Sequence, residues 1–319
     1  MPKTCFERLT LHGPTMGTRW SVTMDAAPGL DVQALRQALA AAVQQVDALM
    51  SPWQPGSAIN QLNKAETGCW ITLQAPILEV LAAALEVNRL SDGAFDPAVG
   101  ALVDAWGFGP VRDAPDAAAI RAAARPASRP THELLELDPA TRRARKHAAM
   151  QLDLCGIAKG YAVDRMAAVL QGHGVAHALA ALDGELRALG GQAGGPAWAV
   201  ALESPQAGRR AAQGVIELRD LAVATSGDYR RFFDIAGQRL SHTMDARRAA
   251  PVRGEVASVT VLARDCMSAD AWATALLVAG PGAGLALAQR LGLEALWLLR
   301  RSGQLVQLGL GRFGAAGAA

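Results

Sequence analysis

A chain of 319 residues, 51% hydrophobic and 19% charged, carries enough apolar material for a substantial core and is neither disordered nor fibrous in composition. Its net charge of +2, with Arg and Lys spread along the chain, excludes the basic stripe of a nucleic-acid binder. The four cysteines, Cys5, Cys69, Cys155 and Cys266, stand far apart with no C-x-x-C pair, which excludes a zinc-ribbon site and a dense disulfide framework. His173 and His177 are spaced i, i+4, but Gly172 and Gly174 break any helix that would align them on a metal.

In chain order, Met1 to Phe6 contains no apolar run of the kind a signal segment needs. The chain as written is therefore expected in the cytoplasm, or in the periplasm or at a membrane if the native N-terminus is longer. Gly13 to Thr18 reads as a turn-rich lead-in to a strand over Arg19 to Met24. Leu35, Leu39, Val43, Val46 and Leu49 recur at helical spacing up to Ser51-Pro52. Ser57 to Asn63 follows as a loop with a short helical turn. Pro76 opens the next helix, with the face Ile77, Leu81, Leu85 and Asn88, and Ser91-Asp92-Gly93 closes it. An alanine-rich surface helix is expected over Asp116 to Ala124, then a linker over Arg125 to Pro130. The basic run Arg142 to His147 reads as a solvated turn following Asp138-Pro139.

Strands are expected at Leu134 to Leu137, Met150 to Leu154, His177 to Leu182, Trp198 to Leu202, Val215 to Leu218, Leu221 to Thr225, Ser258 to Ala263, Ala295 to Leu299 and Leu305 to Leu308. Ala271 to Ala288 is uncharged and nearly long enough to cross a bilayer. Its centre, Ala279-Gly280-Pro281-Gly282-Ala283-Gly284, instead marks a turn between two buried helices, so no transmembrane segment is expected. The order is neither regular βαβ alternation nor all-β, and implies an α+β fold with largely antiparallel sheets flanked by helices.

Three stretches could carry chemistry. Leu152 to Asp164 reads as strand, small-residue turn and helix start, where free backbone N–H groups, the helix dipole and Lys159 would suit a phosphate. Such a junction is also a common structural connector, and its spacing is not that of a P-loop. Asp270 and Thr274, i and i+4 on one helix, pair a carboxylate with a hydroxyl as a hard cation such as Mg²⁺ prefers; alone, they equally describe a dipole-favoured Asp and a Thr bonded to its own backbone. His242, in Ser241-His242-Thr243-Met244-Asp245, has the chemistry to take a proton from a hydroxyl near neutral pH. Glu203 and Asp228 read as exposed loop carboxylates without a role.

Taken in order, these stretches carry a resemblance. The set is Met16-Gly17-Thr18, Asp92-Gly93-Ala94-Phe95-Asp96-Pro97 with Trp106-Gly107-Phe108-Gly109, Leu152 to Asp164, Thr225-Ser226-Gly227-Asp228-Tyr229, Ser241 to Asp245, and Ala269-Asp270-Ala271-Trp272-Ala273-Thr274. The chain resembles the ApbE family of FAD:protein FMN transferases over about residues 16 to 300. The resemblance implies a T-fold-like α+β domain over residues 1–319, as one unit or as two closely packed lobes with the FAD and Mg²⁺ site between them. It implies transfer of FMN from FAD onto a Ser or Thr hydroxyl of a flavoprotein, with AMP released. Hydrolysis of FAD to FMN and AMP, or flavin binding without catalysis, are the alternatives.

By the same resemblance Mg²⁺ would be held by the Gly156 carbonyl, Asp270 and Thr274. FAD would contact Met16, Trp53, Ala94, Phe95, Asp96, Asp153, Lys159 and Met244, and His242 would be the catalytic base. Three positions depart from the family pattern. Ala246 to Pro251 replaces a Pro-x-Thr-Gly turn, Asp183-Gly184 replaces a glycine pair, and Cys155 replaces a smaller Gly or Ser.

Overall fold

The computed structural model describes residues 6–124, 129–205, 211–229, 232–235 and 238–316. Its centre is an eight-stranded sheet whose neighbours follow chain order. These strands are β1 (Glu7–Thr15), β2 (Thr18–Ala26), β3 (Ala178–Leu182), β4 (Glu185–Leu189), β5 (Ala222–Gly227), β6 (Val256–Ala263), β7 (Glu294–Arg301) and β8 (Gln304–Gly309). Every pairing is antiparallel, as expected for an α+β chain without regular crossover helices.

β1 is a strand where the sequence reading placed only a turn-rich lead-in. The turn itself is Met16-Gly17, at φ 44° and φ 70°, and Pro14 is tolerated because β1 is an edge strand. β4 also escaped the sequence reading, because its charged Glu185 and Arg187 interrupt an otherwise apolar run.

Three main helices cover one face of this sheet. In α1 (Val32–Met50) the Asp31 carboxylate caps Ala34 N–H at 2.9 Å. The expected stripe of Leu35, Leu39, Val43, Val46 and Leu49 is buried, each side chain contributing about 1.5–3 kcal/mol. α5 (Ala158–Gly172) packs between α1 and α6 (Cys266–Leu291). α6 is two helices joined at Gly280, whose φ of 75° breaks the hydrogen-bond ladder before Pro281. It alone among the described residues has the length and hydropathy to cross a membrane, but it lies with 56% of that window buried and packs on β5 and β6.

The opposite face is covered by the hairpin Trp198–Glu203/Ala212–Leu218, through Trp198, Val200 and Leu218 packed with Val223 and Leu262. β6 is thus buried on both faces: every residue from Val256 to Leu262 is buried, Ser258 and Thr260 included.

The α3 helix (Ala75–Leu90) starts at Ala75-Pro76 and ends before Ser91 as expected. Its buried face runs through Ala84 and Val87 instead of Leu85, with Asn88 buried. The Ala117–Ala123 helix buries nothing, as its alanine-rich surface pattern implies. Of the expected linker, residues 125–128 lie outside the described residues, as do Cys5, Arg230, Arg231 and Gly237. Among the described residues Cys69, Cys155 and Cys266 form no disulfide, and no cluster of three or more His, Cys, Asp or Glu is arranged for a metal.

Two segments differ from the sequence reading for identifiable reasons. Arg143–Lys146 is a strand, paired with both Trp70–Thr72 and Leu135–Asp138, and only the residues before it turn. Lys146 is buried, its ammonium donating to the Asn63 carbonyl at 2.7 Å, and desolvation pulls its pKa down.

Met150 to Leu154 is not a strand and makes only one bridge, Val99 to Gln151. The backbone of Leu152 is paired instead with a side chain: Asn63, in α2 (Ala58–Lys64), donates to its carbonyl at 2.9 Å and accepts its N–H at 2.7 Å. Because Leu152 is 1% exposed, Asn63→Ala leaves two buried backbone groups unpaired. It is expected to cost about 2–4 kcal/mol, measured by urea unfolding.

Candidate active site

A cleft of about 1280 Å³ opens between the sheet and the helices, and all twelve residues singled out by the sequence line it. The Met16 turn forms one lip. Trp53, just past α1, forms another at 54% exposure, free to meet a planar ligand. Ala94, Phe95 and Asp96 lie on the loop after α3, where Asp92 and Gly93 take φ of 51° and 71°. Asn88 Nδ2 donates to the Phe95 carbonyl at 2.8 Å, and the Ser91 hydroxyl accepts Phe95 N–H at 3.0 Å. Asp96 accepts from Ala98 N–H and from the Thr131 hydroxyl at 2.8 and 2.7 Å, while burial pushes its carboxyl above the usual range.

The floor is the 153–160 junction. Asp153 accepts Cys155 N–H at 2.7 Å, bending the chain so that Gly156 meets α6. A Cβ at Gly156 would lie 3.1 Å from Thr274 Oγ1 and 3.3 Å from the Phe95 ring, so glycine is what allows this approach. Thr274 Oγ1 is also 3.0 Å from Ser226 Oγ. α5 begins at Ala158, earlier than the apolar spacing indicates. Its first turn is not an open row of donors, because Gly160 N–H is taken by Asp270 Oδ2 at 2.9 Å.

Gly160 is the tightest contact in the site. A Cβ there would overlap the Cys266 carbonyl and lie 2.8 Å from Asp270 Cβ. Gly160→Ala is expected to lower stability by about 1–3 kcal/mol, seen as a fall in Tm.

The charges divide sharply. Asp270, 3% exposed, has its carboxyl pushed up to about 7, first by burial and then by the nearby Glu185 charge. Glu185, also buried, is pushed up by desolvation and pulled back by Lys159. Lys159 stays protonated: burial opposes its charge, but Glu185, Asp270 and Asp183 together hold its pKa above the ordinary value.

His242 and Met244 form the roof, where His242 stands edge-on to Phe108 at 6.3 Å and Phe108 stacks on Phe233 at 4.6 Å. α4 (Gly100–Ala105) and its Asp104 support Phe108. Asp104 accepts Val111 N–H at 2.9 Å and pairs with Arg112 at 2.7 Å, closing the Gly107 to Gly109 loop. The unusual turn after Met244-Asp245 closes a two-stranded hairpin with Ala250–Pro251. There Asp245 holds Arg247 through both its N–H and its guanidinium, and Ala249 takes φ 52°.

Sequence reasoning missed several contributors. Asp228 is not an exposed carboxylate: Arg300 grips both its oxygens at 2.8 and 2.7 Å, and it is 14% exposed. Glu203 lines the cleft and accepts from the Tyr229 hydroxyl at 3.2 Å. Ser226 and Phe108 lay inside recognised motifs, whereas Glu185 and Asn63 become visible only once distant strands and loops meet.

This all-antiparallel sheet with a cleft over the start of α5 is the fold of the flavin transferases. It matches the flavin transferase ApbE from Vibrio cholerae with a TM-score of 0.86 at 30% identity, covering 97% of this chain and 99% of that one. It matches the flavinyl transferase ApbE of Pseudomonas stutzeri, in its apo form, with a TM-score of 0.87 at 34% identity and 98% coverage of both. In sequence it is 33% identical to the FAD:protein FMN transferase of Vibrio cholerae over 306 residues, 92% of this chain and 88% of that protein. Residues 16–297 match the ApbE family. The chain belongs to the ApbE family.

Proposed function

We propose that this chain is a Mg²⁺-dependent FAD:protein FMN transferase that attaches FMN to a Ser or Thr hydroxyl of a target flavoprotein and releases AMP. The observation that carries this reading is the gathering, in one cleft, of a buried carboxylate, a hydroxyl against a glycine backbone, a lysine, and a histidine set beside aromatic rings in the roof. We also read the chain as one domain, since the main core joins β1 and β2 to α1, α3, α5, α6 and β7.

The residues suit a small hard cation. Asp270 is a buried acid whose raised pKa marks a charge lacking full compensation. One turn further along α6 the Thr274 hydroxyl lies against the Gly156 backbone and Ser226, and carboxylate, hydroxyl and carbonyl oxygens are the donor type Mg²⁺ selects. Asp270, Thr274 and the Gly156 carbonyl would hold the ion. When bound, Mg²⁺ supplies charge neutralisation on the pyrophosphate being cleaved.

This chain's residues would supply the rest. Lys159 faces the pyrophosphate with a fixed positive charge. Trp53, Met16, Phe95 and Met244 provide apolar surface for the planar parts of FAD, and Asp96 and Asp153, both tied to backbone, provide rigid acceptors for its hydroxyls. His242 takes the proton from the acceptor hydroxyl as its oxygen bonds to the FMN phosphorus. The bridging P–O bond breaks, and AMP carries away the electron pair.

The test follows AMP release from FAD by chromatography with Mg²⁺ and with EDTA, with and without an acceptor flavoprotein domain. AMP formation that requires both Mg²⁺ and acceptor is expected. AMP formed at the same rate in EDTA would overturn the metal assignment, and AMP formed equally without acceptor would replace transfer by hydrolysis.

A further inference from the structure

The cleft holds one ammonium among three carboxylates. Lys159 Nζ lies 2.8 Å from Glu185 Oε1 and 3.9 Å from Asp183 Oδ2, and the next residue, Gly160, donates its N–H to Asp270 Oδ2 at 2.9 Å, which sets a third carboxylate beside the lysine. Asp183 stands in the tight turn between β3 and β4, and Glu185 opens β4. That turn is built with Asp183 in the left-handed region at φ 56°, which a short polar side chain tolerates.

Glu185 is the unusual member. Its side chain is 3% exposed, and among the described residues its Oε2 is buried without a hydrogen-bond partner. Taking a carboxylate out of water for one ion pair is a poor way to stabilise a fold, since an apolar pair of similar volume serves as well or better. What the pair does achieve is directional: it ties the ammonium to the β4 wall. Released from Glu185, the amine is left between the partly exposed Asp183, 3.9 Å away, and the buried Asp270, fixed at the N–H of the adjacent Gly160; the buried charge, less screened by water, would draw it more strongly.

We infer that Glu185 is a positioning residue that holds Lys159 against β4 and so keeps Asp270 available to a divalent cation. This rests on the metal reading proposed above.

The test is the binding of Mn²⁺ to the full chain, followed by the electron paramagnetic resonance signal of the free ion, with no turnover required. Glu185→Leu is expected to weaken Mn²⁺ binding by about tenfold or more, and Glu185→Gln, the gentler change if leucine does not fold, by at least about threefold. Lys159→Met combined with either variant should restore affinity to within about threefold of Lys159→Met alone, because no amine remains to occupy Asp270. A plain loss of negative charge near the metal, or a merely structural role, would persist in the double variant.

Thermal unfolding gives a second signature: Lys159→Met strands a buried carboxylate and should lower Tm, and adding Glu185→Leu should recover it. Unchanged Mn²⁺ affinity in the Glu185 variants, or a double variant as weak as the single, would overturn the inference while leaving the proposed function intact. A parent protein that binds no Mn²⁺ would overturn the metal reading and this inference together.

Discussion

His242→Ala is expected to slow FMN transfer by about 10³-fold, within the range that one positioned general base supplies, while FAD binding is retained. The reason for the split is geometric. His242 sits in the roof, edge-on to Phe108, whereas Lys159 and the residues around Asp270 are on the floor and belong to other elements. Removing the imidazole leaves the floor untouched, so binding and catalysis separate. Rate by AMP release and affinity by flavin fluorescence, measured on one preparation, check both halves. Equal loss of binding and rate would show that His242 holds substrate and does not move a proton.

Asp270→Asn is expected to abolish Mg²⁺-dependent turnover, by about 10³-fold or more, and at the same time to stabilise the metal-free protein at neutral and higher pH. The sign follows from linkage. Burial pushes the Asp270 carboxyl up to about 7 in the folded chain, against about 4 for an unfolded aspartate, so between those pH values the folded state binds more protons than the unfolded state. Stability from this group is therefore present below about pH 4 and is lost as pH rises through about 7. Asparagine keeps an acceptor for Gly160 N–H and never ionises, so that loss disappears. Mg²⁺ should raise the parent's Tm at pH 8, do so much less at pH 5, and leave the variant's Tm unchanged. Thermal scans of both proteins at pH 5 and 8, with and without Mg²⁺, decide it; a metal-induced shift that survives in Asp270→Asn would place the ion elsewhere.

Much of the fold was legible because local patterns were strong. The Leu35 to Leu49 stripe, the Pro76 start, the Gly280-Pro281 break and the paired strands near the C-terminus each follow from spacing or backbone chemistry, and the structure has them where expected. The errors came where a distant residue overrode a local pattern. Leu152 looks like a strand residue, yet Asn63, far off in sequence, takes both its backbone groups. The Arg143 to Lys146 run looks solvated, yet Lys146 points inward to another carbonyl.

The site divides the same way. Ordered motifs bring Gly156, Asp270, Thr274, Lys159 and His242 to notice, and the fold gathers them in one cleft. Glu185 carries no local signal, because its meaning comes from a buried lysine on another element.

The most direct measurement is the intact mass of a flavoprotein acceptor domain after incubation with this protein, FAD and Mg²⁺, with AMP counted in the same tube. One FMN, less water, added to a Ser or Thr of the acceptor for each AMP released is the expected result. An acceptor of unchanged mass alongside AMP and free FMN would contradict the transferase reading, and the absence of AMP would contradict catalysis on FAD altogether.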